Sequence, residues 1–176
     1  MKKLKILFTF ILILYFSINI NLANAEKIVY IDMDKIMQIS KAGNAAISKI
    51  NDQKKKDVTK FQKIERDLKS KEEDLIAKKN VISAEDFNKK LNALSKEINN
   101  YRTLRQEAID LSTKSRLNAS ADFAEKIKPI LADYAAENNI DMIIQKKNII
   151  MGKTDLDITD VILKIVDKKI NKLKVN

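Results

Sequence analysis

Apolar residues recur in steps of three and four along most of this chain, and the longest such stretch, from Ala42 to Asn138, is interrupted once, at Asn80-Val81-Ile82-Ser83. Before the break, Ile47, Ile50, Phe61, Ile64, Leu68 and Leu75 form a one-sided stripe, thinned where Lys54, Asp57 and Lys71 take seam positions. After it, Phe87, Leu91, Leu94, Ile98 and Tyr101 form a second stripe, opened by Ser83 three residues before Asp86 in a variant of the capping box. The pattern predicts two antiparallel helices with a tip at about 80–83. At about 1.5 Å per residue the first is roughly 50 Å long, far more than a small core can cover. Farther on the seam carries the small residues Ala108, Ser112, Ser115 and Ala119. From Phe123 through Ile127, Ile130, Leu131 and Tyr134 the stripe shifts phase and becomes more apolar, which predicts re-entry into a globular body. Pro129, the single proline, is expected to kink this helix, and Asn138-Asn139 to end it, because asparagine tolerates the left-handed cap conformation.

The flanks read differently. Ile28-Val29-Tyr30-Ile31 is a short β-branched run of the kind that makes a buried strand. Asp34 is placed to cap a short helix ending near Ile39, and Gly43 to provide a bend into the long one. Met142-Ile143-Ile144 and Ile149-Ile150-Met151 read as two strands joined by a Gln145-Lys146-Lys147-Asn148 hairpin turn. A final helix, about 158–172, is capped by Asp157 or Thr159 and has a broad apolar face of Val161, Ile162, Ile165, Val166 and Ile170. A two-stranded hairpin alone is marginal in water, so the N-terminal strand is needed as its neighbour. The fold class is therefore α+β and mostly helical: a small body of 26–41 and 124–176, with strands at about 27–32, 141–145 and 149–152, and a long antiparallel helical hairpin of 42–123 inserted in it. The body core, or an interface between copies, falls to Ile28, Val29, Tyr30, Ile31, Ile143, Ile144, Ile149 and Ile150.

The first 25 residues stand apart from this plan. Lys2, Lys3 and Lys5 precede an apolar run from Ile6 to Ile20 that ends in Ala23-Asn24-Ala25, the order of a secretory signal peptide. The run is shorter than the roughly 20 residues of a membrane span, so cleavage between Ala25 and Glu26 is preferred to an uncleaved anchor. Losing the three leader lysines takes the net charge from +10 to +7. With a third of the chain charged and few aromatics, one copy buries only a modest core, and self-association is expected. There is no cysteine to supply disulfides, and no histidine either, which removes the usual bases, thiol nucleophiles and soft metal ligands. Catalysis, metals and cofactors are not expected.

The opening Ile28-Val29-Tyr30-Ile31-Asp32-Met33 with Ala42-Gly43 after it, the segment from Tyr134 through Asn139 into Ile140-Asp141-Met142-Ile143-Ile144, and Asp157-Ile158-Thr159-Asp160-Val161-Ile162 follow one another around the basic hairpin. In that order they resemble the Skp (OmpH-like) family of periplasmic chaperones over essentially the whole mature region. The resemblance implies a homotrimer whose body is built from strands of three chains. Its helical hairpins hang as tentacles around a cavity and hold unfolded outer-membrane β-barrel proteins without ATP. Asn139 stands where glycine is frequent in that family.

An unfolded barrel strand alternates apolar and polar side chains, so thin stripes on long helices are a suitable grip, and net positive charge steers acidic clients. Lys78, Lys79, Lys89 and Lys90 flank Val81 and Ile82 at the tip, a candidate contact with clients, anionic lipid or lipopolysaccharide, or simply a solvated helix end. The small-residue seam from Ala108 to Ala119 reads as helix packing or as a client groove. Two other functions remain: a coiled-coil adaptor of the cell envelope, which the charged seam positions oppose, and binding of nucleic acid, which export and the few aromatics oppose.

Overall fold

The computed structural model describes residues 26–175; the expected leader lies outside them. The elements in order are β1 (Ile28–Ile31), α1 (Met33–Ile39), α2 (Lys41–Ala77), α3 (Ala84–Glu137), β2 (Met142–Gln145) and α4 (Thr159–Lys169). Short 3-10 turns cover Lys146–Asn148 and Thr154–Leu156. The expected plan of a small body carrying a long helical hairpin is the one observed.

β1 and β2 pair in parallel, Ile28 opposite Met142 and Ile31 opposite Gln145. Parallel neighbours need a crossover, and here the crossover is the entire hairpin. The Asp141 carboxylate fixes the register by accepting the Lys27 backbone N–H at 2.7 Å. The expected hairpin of two adjacent strands is corrected: no strand covers 149–152. After β2 the chain winds into the Lys146–Asn148 turn, where the Ile149 N–H bonds back to the Lys146 carbonyl at 3.1 Å and turns the chain away from β2. The other edge of β1 is met instead by Asp157, in a parallel bridge with Tyr30, and the Ile158 N–H donates to the Tyr30 carbonyl at 2.9 Å.

Two local expectations at the start are also corrected. Asp32, not Asp34, caps α1: its carboxylate accepts from the Lys35 N–H at 2.8 Å. The bend between α1 and α2 lies at Ser40, in extended conformation, whose buried hydroxyl oxygen accepts from the Gly43 N–H at 3.2 Å. Gly43 sits inside the first turn of α2, where a Cβ would overlap the Met37 carbonyl oxygen. Its role is close approach of two helices.

The expected end of α3 is realised as a Schellman cap. Asn139 is the one non-glycine at positive φ among the described residues, and the Ile140 N–H reaches back to the Ala135 carbonyl at 2.9 Å. Pro129 sits exposed within the unbroken helix. The core joins Val29 and Ile31 of β1, Ile36 of α1, Ala46 and Ile50 of α2, Phe123, Ile127 and Ile130 of α3, and Ile162 and Val166 of α4. On α3 this core begins at Ala119, one turn before the phase shift at Phe123. Each such branched or aromatic side chain contributes about 1.5–3 kcal/mol by leaving water.

Candidate binding surfaces

Three surfaces leave apolar side chains in water. Along the hairpin, α2 and α3 are tied where the Phe61 and Tyr101 rings meet edge to face at 6.0 Å between centroids, and where Lys71 pairs with Glu97 across the seam. Arg116 donates to the Asn51 side chain at 2.8 Å. Between these ties the small seam residues Ala108 and Ser112 face Lys54 and Asp57 and leave grooves of about 590 and 740 Å³. Ser115 and Ala119, lower on the same seam, are buried, so the seam is packing at its root and groove above it. Val58, Ile109, Leu111 and Leu117 are exposed on the same arms. The last three lie off the stripes, and the apolar side chains between seam positions were the available signal for them.

At the tip, residues 78–83 turn through bonds from the Val81 and Ile82 N–H groups to the Lys78 carbonyl, at 3.0 and 3.2 Å. Ser83 caps α3 by accepting from the Asp86 N–H at 3.1 Å. Val81 projects into water, whereas Ile82 is half-buried. The structure brings Lys78 and Lys90 together beside Leu75 and Leu94 in one small cleft. Lys89 pairs instead with Glu85 on its own helix at 2.7 Å, which leaves Lys79 exposed at the turn itself.

In the body, Val29, Tyr30 and Ile31 are buried, Ile143, Ile144 and Ile149 are half-buried, and Ile28 and Ile150 are exposed. Ile150 is therefore no part of this chain's core. Met142 of β2 and Met151 are exposed as well. Tyr30 anchors the loop that carries Ile150 and Met151: its hydroxyl donates to the Lys153 carbonyl at 3.1 Å, and its ring lies against Gly152. Lys146 reaches over the same ring and pairs with Asp157 at 2.9 Å. That pair, helped by the field of Asp157, raises the lysine above its ordinary value. Burial pushes the Asp157 carboxyl up, but hydrogen bonds from the Thr159 hydroxyl, Lys146 and the Thr159 N–H outweigh it and leave the group below the usual range.

Among the described residues no group of acidic side chains could hold a metal ion, and no helix is long and apolar enough to cross a membrane.

A family described as outer membrane protein (OmpH-like) matches residues 27–166. Among solved structures, the chain is similar to an outer membrane chaperone (OmpH-like) from Caulobacter crescentus, with a TM-score of 0.76 and 13% identity over 85% of this chain and 89% of that one. At that identity the likeness speaks for the fold. No curated protein matches.

Proposed function

Since this chain belongs to the OmpH-like outer membrane protein family, we propose that it is a periplasmic holdase chaperone that binds unfolded outer-membrane β-barrel proteins and prevents their aggregation without ATP. The observation that carries this reading is the pair of arms, helices of 37 and 54 residues whose apolar side chains are spread thinly and left largely in water. Such a surface offers no catalytic pocket. It offers many weak apolar contacts, which suit a client of alternating pattern that must later be released. The basic balance of the chain steers acidic clients toward it and weakens with salt.

The working form is a homotrimer. A two-stranded sheet is marginal by itself, and the exposed Ile28 and Met142 at the start of its two strands, with Ile150 and Met151 in the loop that follows, are suited to burial against other copies. Three bodies joined there would place three hairpins around a common space. Lys78, Lys79 and Lys90 at the tip give the same particle a means of touching anionic lipid or lipopolysaccharide.

Mass in solution, combined with dilution of a urea-unfolded outer-membrane barrel protein into buffer with and without this protein, tests the reading. A trimer that keeps the client soluble is expected. A monomer that leaves aggregation unchanged refutes it.

A further inference from the structure

After α4 the chain does not stop at the body. Residues 170–175 form no helix or strand, yet Ile170 and Leu173 are buried in the core, Leu173 to 2% exposure. Successive contacts show their course: Lys169 pairs with Asp133, the Lys172 carbonyl accepts from Lys126 at 2.7 Å, the Lys174 N–H donates to Asp122 at 2.9 Å, and Val175 reaches the groove beside Ser115. The segment thus runs antiparallel to α3, from the body toward the arms. Between the outer contacts, from Asp133 to Ser115, the helix rises about 27 Å, whereas the chain from Lys169 to Val175 covers at most about 20 Å, so the segment lies stretched along the helix. After the exposed pair Asn171 and Lys172, its last three described residues alternate as in a strand, with Leu173 buried, Lys174 exposed and Val175 half-buried.

The anchoring is addressed to main chain. Asp122 and Lys126 pair with each other at 2.8 Å, and in that orientation the carboxylate accepts from a backbone N–H while the ammonium donates to a backbone C=O two residues earlier. Nothing in these bonds depends on which side chains the segment carries. The apolar site under Leu173 asks only for an apolar residue between the two bonded positions. Beyond Val175 the groove continues past Leu111 and Ala108 toward the middle of the arms. The family match ends at residue 166, so this strap lies outside it.

We propose that Asp122 and Lys126 form a main-chain clasp at the root of the arms for an extended polypeptide segment of alternating apolar and polar residues, and that residues 170–175 are its resident occupant, displaced when a client loads. The inference rests on the holdase reading and assigns it a specific site. An internal occupant lowers apparent affinity by the fraction of time the site is filled: a strap in place nine-tenths of the time costs about tenfold.

The chain has no cysteine, so Val175→Cys in the full-length protein gives a single reporter on the strap. Its rate of maleimide labelling is expected to rise severalfold with saturating urea-unfolded outer-membrane barrel protein, or with a synthetic peptide of alternating leucine and threonine. Leu173→Asp, which ejects the strap, is expected to tighten client binding by up to about tenfold. If that variant does not fold, Lys174→Pro removes the N–H given to Asp122 and leaves Leu173 in place, with the same expected direction. A client that is held with no change in labelling, and with equal or weaker binding by the folded variant, overturns the clasp and leaves the holdase reading standing. If no client is held, the holdase reading fails. The peptide then decides the clasp alone: faster labelling supports it and an unchanged rate overturns it.

Discussion

Gly43→Ala sets two effects of known size against each other. Inside a helix the replacement normally stabilises, by about 1 kcal/mol, because glycine loses more backbone freedom on folding and alanine is the better helix former. Here the new methyl would overlap the Met37 carbonyl oxygen and sit 2.8 Å from its carbon and 2.9 Å from the Ser40 hydroxyl. The first two are backbone atoms of α1 and cannot swing aside as a side-chain end could. Carbon atoms pack at about 3.5–4.0 Å, so relief requires α1 and α2 to part by about 1 Å or more. The junction is held by the buried Ser40 cap and by the Lys41 N–H on Asp167 at 2.7 Å. Overpacking of a closed site typically costs about 1–3 kcal/mol and sometimes more. With backbone as the obstacle, the upper end applies, and a net loss of about 2 kcal/mol remains after the propensity gain. Urea unfolding followed by helical circular dichroism, at one fixed protein concentration so that the proposed self-association affects parent and variant alike, measures it. The exposed Ala45→Gly, on the same helix, calibrates the propensity effect at about 1 kcal/mol. A Gly43→Ala protein as stable as the parent, or more so, would refute the close-approach account of this glycine.

Three further outcomes are expected. Phe61→Ala removes the ring packed on Tyr101 and should speed amide exchange in the neighbouring parts of both arms while leaving the body's protection unchanged; equal loss in the body would show that arms and body unfold as one unit. Ile150→Asp, at an exposed position of the single chain, should leave the fold intact and shift the mass in solution toward monomer, and an unchanged mass would remove Ile150 from the interface. Acid should loosen the strap and the Tyr30 loop. The Asp122 carboxyl is held low by the Lys126 hydrogen bond and then the Lys174 N–H, and Asp157 is held low by the hydrogen bonds that outweigh its burial. A folded-state value below the unfolded one contributes stability that is present above about pH 4 and lost as pH falls through the lowered value. Lys146 has the opposite sign: raised in the fold, it contributes fully below its ordinary 10.5 and loses that contribution as pH rises through the raised value. Urea midpoints should therefore be level between about pH 5 and pH 9 and drop toward pH 3; a steady slope across the neutral range would contradict these assignments.

The hairpin was legible because helical periodicity is local. The Ser83 cap, the Asn139 stop and the phase shift at Phe123 each act through residues within a few positions, and each is where the pattern put it. The failures lie where the deciding partner is distant in sequence or is backbone. Ile149-Ile150-Met151 has strand composition, but the Lys146–Asn148 turn leads it away from β2, and the remaining edge of β1 goes to Asp157. Gly43 reads as a bend until the Met37 carbonyl beside it is known. The strap was missed for a similar reason, since Asp122 and Lys126 bind backbone atoms, which leave no side-chain pattern to find.

The arms combine reach with looseness through the spacing of their ties. On α2 the buried positions beyond the first turns are Ile50, Phe61 and Leu75, separated by 11 and 14 residues. At 100° per residue those steps return to nearly the same angle, so the three stay on one face, about 16 and 21 Å apart along the axis. On α3 no residue between Leu94 and Ser115 is buried. The hairpin is thus a ladder with few buried rungs, one at the root beside Ser115, one where Phe61 meets Tyr101, and one at Leu75 and Leu94 below the tip, with the half-buried Ile64, Leu68, Ile98 and Leu104 and the Lys71–Glu97 pair between them. A continuous seam would bury its apolar residues in itself and leave nothing to offer. Sparse rungs hold the two helices together and leave Val58, Ile109 and Leu111 facing water between them, each a small and separately reversible contact. On the holdase reading proposed above, a long unfolded chain would engage many of these at once and still leave by releasing them one at a time, which would make binding strong in sum without a slow step for any single contact.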